Sequence, residues 1–342
     1  MTIRTAVDLA VIDAKTVRRL IAADMEGCVR IVAEAYLAHD AGLTVNPQSV
    51  FLRFPDAPSA RIIALPAHLR GPRPVSGMKW IASYPENRRL KLPRASAVLI
   101  LNDAQTGFPF ACIEASAISA SRTAASAVLA AEHIRRRVRA ADSLGVVGSG
   151  VIARHVIQFL FGTGWEMGTI NVHDSSPDAL AEFGEWLGGL RRNLRMIRCD
   201  TAQDVCEKSD IVLFATVATE PYVSDPRCLS RNQTVLHLSL RDLAPAIILA
   251  SNNVVDDRAH IVSAATSVAL AAAASGGTRF ITCTLADLLL KRSVLADGHP
   301  TVFSPFGLGV LDLAVGRWIF DRSVAEGSCT TLAGFFDTDN SA

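Results

Sequence analysis

The chain has 342 residues, half of them hydrophobic, and its 34 Lys plus Arg nearly balance 33 Asp plus Glu, for a formal net charge of +1. That balance excludes a nucleic-acid binder acting through charge, which shows a basic excess or patch. Seven scattered cysteines with no C-x-x-C pair imply neither a disulfide framework nor a zinc site, so no metal is expected.

No apolar run reaches about 18 residues, and the N-terminus lacks the basic start and apolar core of an export signal. The expectation is a soluble cytoplasmic protein without a membrane partner. At roughly 150 residues per domain the length suggests about two domains. Thr16 to Leu37 carries apolar residues at helical spacing (Val17, Leu20, Ile21, Val29, Val32, Tyr36). Val50 to Phe54, Arg61 to Leu65 and Ala97 to Asn102 are strand-like and closed by Pro, Gly or Asn. This mixture predicts an α+β unit over residues 1–124. From Ser119 to Arg139 runs one Ala-rich helical pattern whose basic end suits a helix carboxyl terminus.

The pattern then changes, with strand candidates at Ser143 to Val147, Thr169 to His173, Met196 to Cys199, Ile211 to Ala215, Thr234 to Leu238 and Val254 to Asp256. Short apolar strands alternating with helical stretches predict an α/β fold, a Rossmann-type doubly wound parallel sheet covered on both faces, over residues 125–304. Beyond Thr301 the sequence opens with Pro and Gly turns and becomes an amphipathic helix, too short for a third domain. Residues 305–342 are expected to pack back on the first domain.

Between the first strand and helix of this second region lies Gly148-Ser149-Gly150-Val151-Ile152-Ala153, the G-x-G-x-x-A form of the dinucleotide fingerprint. Gly148 permits the tight turn, Gly150 lets backbone approach a pyrophosphate, and Ala153 lets helix and strand pack closely. Ser149, Val151 and Ile152 lie where free N–H groups face the anion. Asp174 follows 24 residues after Gly150, at the end of the next strand, placed to accept from the adenosine ribose hydroxyls and to repel a 2′-phosphate. NAD is therefore favoured over NADP. The plainer alternative is an ordinary glycine turn with a capping Asp174. Thr216, just past a strand, suits either a cofactor contact or a cap.

Lys79 stands alone in the apolar run Val75 to Ile81, as a snorkelling edge-strand residue or as an ammonium with a partner. Arg122, among small residues, fits a substrate carboxylate or a structural ion pair equally well. Arg53 alternates with apolar neighbours and faces either pocket or solvent. Arg241 and Asp242 follow a strand directly, where doubly wound sheets bind ligands, although Asp242 could instead cap the turn before Pro245.

Four segments, GMKWIASYPEN around Lys79, SAVLILNDAQTGFPFACIEASAISASRTAASAVLAA through Arg122, GVVGSGVIA, and SLRDLAPAIIL through Asp242, resemble the ornithine cyclodeaminase/mu-crystallin family across essentially the whole chain. The last two, with VFSPFGLGVLDLAVGRWI, look most like its branch that makes 2,3-diaminopropionate for siderophores and antibiotics, the N-(2-amino-2-carboxyethyl)-L-glutamate dehydrogenases. Cyclodeaminases usually carry a glycine-rich G-A-D segment where this chain has HLSLRDLAP, which argues against ornithine. The basic residue common after the proline near Pro47 is replaced by Gln48 and Ser49.

The resemblance implies NAD-dependent oxidation of a secondary amine joining two amino acids, with Asp242 as general base and Lys79 polarising a carboxylate or water. Arg53, Lys79, Arg122 and Arg241 are its candidates for substrate binding, and arginine suits bidentate carboxylate contacts. It also implies a homodimer formed through the first domain's sheet. The alternatives are a cyclodeaminase or alanine dehydrogenase-like enzyme, and a catalytically silent NAD-binding protein of the crystallin type.

Overall fold

The computed structural model describes residues 6–337 apart from Arg192 and Arg231. The chain divides into two compact units, one of residues 1–122 with 308–342 and the other of residues 123–307.

The first unit opens with β1 (Ala6–Ile12), α1 (Ala14–Ala23) and α2 (Met25–Asp40). The helical pattern predicted as one run is therefore two helices. Asp24 is the reason, since its carboxylate accepts from the Gly27 N–H at 2.7 Å and starts a second helix. Next come β2 (Thr44–Val45), β3 (Val50–Phe54), β4 (Ala57–Leu69), β5 (Val75–Ser83), β6 (Ala95–Asp103) and β7 (Pro109–Glu114). Helix α3 covers Ser116–Ile134 and stops short of the predicted Arg139. Arg136 and Arg137 take left-handed backbone, φ 53° and 68°, which ends the helix despite the continuing pattern.

The second unit is α/β. Its strands are β8 (Ser143–Val147), β9 (Thr169–His173), β10 (Arg195–Arg198), β11 (Ile211–Phe214), β12 (Thr234–His237), β13 (Asn252–Val255), β14 (Ile281–Thr284) and β15 (Thr301–Ser304). All pair in parallel, in the order β10-β9-β8-β11-β12-β15-β13-β14. Helices α4 (Val151–Gly162), α5 (Pro177–Leu190), α6 (Ala202–Glu207), α7 (Pro245–Leu249), α8 (Ser267–Ser275) and α9 (Leu285–Leu289) connect them. The order reverses between β8 and β11, so the crevice of this doubly wound sheet opens beyond the carboxyl ends of those two strands. Strands β8, β11 and β12 are buried almost throughout, as a sheet covered on both faces requires.

The chain then completes its first unit. Helix α10 (Gly309–Ala325) packs on α1, α2 and strands β4, β5 and β6, and β16 (Thr330–Asp337) pairs antiparallel with β1. The resulting sheet runs β16-β1-β7-β6-β5-β4-β2, with β3 on β4. The predicted amphipathic helix is instead buried on all sides from Gly309 to Gly316, because it lies between a sheet and two helices. The stretch expected to open it with turns holds strand β15 first. Among the described residues no helix is long and apolar enough to cross a membrane.

Candidate active site

In the second unit the glycine loop follows β8. Gly148 has φ 88°, and a Cβ there would lie 2.8 Å from the Ala215 carbonyl oxygen at the end of β11, so only glycine permits this approach. Gly150 differs, because nothing lies within 4 Å of where its Cβ would be. The open space sits over the N-terminus of α4, whose N-cap Gly150 supplies no side-chain acceptor. Val151 and Ile152 begin that helix, and Ala153 is fully buried in the packing beneath it. Unsatisfied N–H groups beneath an open cradle fit a dinucleotide pyrophosphate.

Asp174, just past β9, ties the loop down. Its Oδ2 accepts from the Ser149 N–H and Oγ, both at 2.8 Å, and its Oδ1 accepts from the Ser176 N–H at 3.0 Å. Burial raises its pKa, but these hydrogen bonds outweigh it and hold the carboxyl below its usual value. An ionised carboxylate at this position suits ribose hydroxyls and opposes a 2′-phosphate.

Beyond β11 and β12 a second group converges on Asp242, which is completely buried. Its Oδ1 accepts from Thr216 Oγ1 and from Tyr222 Oη at 2.9 Å, and its Oδ2 accepts from Ser239 Oγ and faces His237 Nε2 at 3.2 Å. On the far side of the imidazole, Nδ1 lies 3.2 Å from Ser304 Oγ. Leu240, at φ 73°, turns the loop that carries Asp242. Burial raises the Asp242 pKa, yet the hydrogen bond and charge of His237, with the Ser239 and Thr216 hydroxyls, bring it down to about 2. The same carboxylate, added to burial, pushes the Tyr222 phenol upward. Arg241 turns away, its Nε donating to the Ala265 carbonyl.

The first unit holds a separate cluster. Lys79 on β5 is 1% exposed, and its Nζ donates to Asp312 Oδ2 at 2.7 Å and to Ser119 Oγ at 3.0 Å. Arg122 on α3 contributes Nε at 3.4 Å from Asp312 Oδ1. Burial, helped by the Arg122 charge, outweighs the pull of Asp312 and brings the Lys79 ammonium down to about 8. Arg53 lies outside this cluster, exposed on β3 with its guanidinium 5.2 Å from the Phe51 ring.

Thus the fold joins Lys79 with Arg122 and Thr216 with Asp242, and it leaves Arg53 and Arg241 apart from both groups. The sequence reading missed Asp312, His237, Tyr222 and Ser239. His237 had a signal, a lone imidazole closing an apolar strand, and so had Asp312, a lone acid within the apolar run Gly307 to Gly316.

Known proteins match this architecture. The chain is 31% identical over 234 residues, 67% of its length and 68% of the relative's, to N-((2S)-2-amino-2-carboxyethyl)-L-glutamate dehydrogenase of Staphylococcus aureus (strain NCTC 8325 / PS 47). Its fold is that of the Thermococcus litoralis Delta(1)-pyrroline-2-carboxylate reductase in complex with NADH and L-proline, at TM-score 0.85 and 22% identity, covering 94% of this chain and 99% of that one. An archaeal alanine dehydrogenase dimer with bound NAD gives TM-score 0.84 at 22% identity, over 96% and 100% of the two chains. The profile of the ornithine cyclodeaminase/mu-crystallin family matches residues 10–227, and the chain belongs to that family.

Proposed function

We propose that this protein is an NAD-dependent dehydrogenase acting on the CH–NH bond of an amino-acid substrate, and that the substrate is N-(2-amino-2-carboxyethyl)-L-glutamate. The observation that carries the proposal is the 31% identity to the staphylococcal enzyme of that name, over two thirds of both chains. The open cradle at Gly150 and the ionised Asp174 support the cofactor. NAD, when bound, supplies the acceptor for the hydride leaving the glutamate α-carbon; the resulting imine adds water and collapses to 2-oxoglutarate and 2,3-diaminopropionate.

In this reading the backbone of Gly150, Val151 and Ile152 binds the pyrophosphate, Ser149 shapes the loop with its N–H and hydroxyl committed to Asp174, and Asp174 accepts from the ribose. Arg122, which shares Asp312 with Lys79, is the candidate for a substrate carboxylate, while Arg53 and Arg241 are weaker candidates because they lie outside both clusters. Asp242 as general base meets a physical obstacle. A carboxylate held at about 2 by several donors accepts a proton poorly near neutrality, where the best base has a pKa close to the working pH. Asp242 is better suited to act as a fixed anion that stabilises the positive charge of the imine stage, with Tyr222, Thr216 and Ser239 holding its orientation. Lys79, brought to about 8, is the group poised to take the proton from the secondary ammonium. A homodimer and a cytoplasmic location complete the proposal.

The test is the appearance of NADH absorbance when purified protein meets NAD and N-(2-amino-2-carboxyethyl)-L-glutamate, with ornithine, L-alanine and L-proline in parallel. NADH together with 2-oxoglutarate from the first compound alone is the expected result. Turnover of one of the others, with none from the first, overturns the substrate assignment.

A further inference from the structure

A cleft of about 760 Å³ opens in the second unit, away from the glycine loop. Asn232, just before β12, and Thr301, the first residue of β15, both line it, so it lies at the amino ends of the parallel strands. The cofactor loop and Asp242 lie at the carboxyl ends. Its volume is within the roughly 300–1,000 Å³ typical of small-molecule sites.

Four permanent cations line the cleft, Arg135, Arg136, Arg137 and Lys291, against a single carboxylate, Asp297. Asp297 is paired with Arg136 at 2.9 Å. Arg137 and Lys291 make no ion pair among the described residues. Arg135 gives one terminal nitrogen to the Ala140 carbonyl, while its Nε is buried with no acceptor. A buried donor without a partner is costly and marks a place where an acceptor is missing. The plain alternative is that these cations neutralise the carboxyl ends of α3 and α9, which they follow. Two such ends carry roughly −0.5 charge each. Against a surplus of three positive charges that leaves about two unanswered. Val138 and Leu295 add apolar wall beside the charges.

We propose that this cleft binds a small organic anion, one with clustered phosphate or carboxylate oxygens on an apolar body, at a site separate from the cofactor loop. The guanidinium groups of Arg135 and Arg137 and the Lys291 ammonium hold the anionic oxygens, and Val138 and Leu295 cover the body.

Calorimetric titration with ATP, citrate and inorganic phosphate, in the presence of excess NAD so that the glycine loop is occupied, tests the proposal. Arg137 and Lys291 both have left-handed backbone, so Arg137→Asn with Lys291→Asn removes the charges with a residue that tolerates that conformation. The expected result is binding of ATP or citrate more tightly than phosphate, weakened at least about tenfold by the double variant. NAD affinity should stay unchanged. Val138→Asp, at an exposed position, is expected to weaken the same probe through repulsion and serves if the double variant folds poorly. Binding by ATP alone points to phosphate and by citrate alone to carboxylates. No binding below about 10 mM for any probe overturns the proposal, as does binding that neither variant alters. If NAD itself fails to bind, the comparison of variants still decides this site.

Discussion

Lys79 and Asp242 meet burial in opposite ways. Burial outweighs the pull of Asp312 at Lys79 and brings it toward its neutral form, whereas a ring of donors keeps Asp242 charged. If neutral Lys79 is the proton acceptor, it must be unprotonated to work, so kcat/KM rises with pH through about 8. A pH profile that instead falls above 8 would make Lys79 a cationic carboxylate clamp. Asp312→Asn removes the anion favouring the Lys79 ammonium, so the rising limb moves to lower pH. Stability drops by about 3–5 kcal/mol, the usual cost of breaking a buried pair, measurable by denaturant unfolding. Asp242→Asn keeps NAD affinity and lowers turnover by at least about 100-fold; turnover within a few fold of the parent would free Asp242 from any role in the chemistry. Neither partnership was legible residue by residue. Each stands as a lone charge in an apolar run, but Lys79 and Asp312 are separated by more than two hundred positions, and no local pattern pairs them.

At the scale of elements, the glycine loop separates two demands that usually coincide. Gly148→Ala forces a side chain onto the Ala215 carbonyl at a positive φ and lowers the melting temperature by several degrees. Gly150→Val meets open space, so folding should survive while NAD affinity falls at least about tenfold, read by thermal shift beside fluorescence titration. Equal loss of stability in both variants would contradict this division. Such elements were the most readable part of the chain. Strands β3, β8 and β9 have the bounds that their apolar runs and flanking turns predict, because each pattern is local. Strands β1, β14 and β16 were passed over, and α10 was expected to have a wet face. For β1, β16 and α10, formation depends on neighbours brought from afar, β16 onto β1 and α10 onto β4, β5 and β6.

For the whole molecule, one face of the first unit's sheet presents half-buried and exposed apolar side chains among the described residues. Ile62, Met78, Trp80, Val98 and Ile100 share that face, with Trp80 39% and Val98 40% exposed, while Leu65, Lys79 and Leu99 point to the other. A contiguous apolar face of this kind suits a self-complementary twofold contact. Light scattering is expected to give a dimer that Trp80→Glu converts to a monomer, and a monomeric parent would set the homodimer aside. The return of the chain to its first unit through α10 and β16 also has a consequence for synthesis. The second unit is a continuous stretch and can close while the ribosome is still adding residues. The first unit starts earlier yet finishes later, since Lys79 waits for Asp312 and β1 waits for β16. During that interval a half-built sheet is exposed to other nascent chains, so β16, made well after β1, decides whether β1 is safe from aggregation.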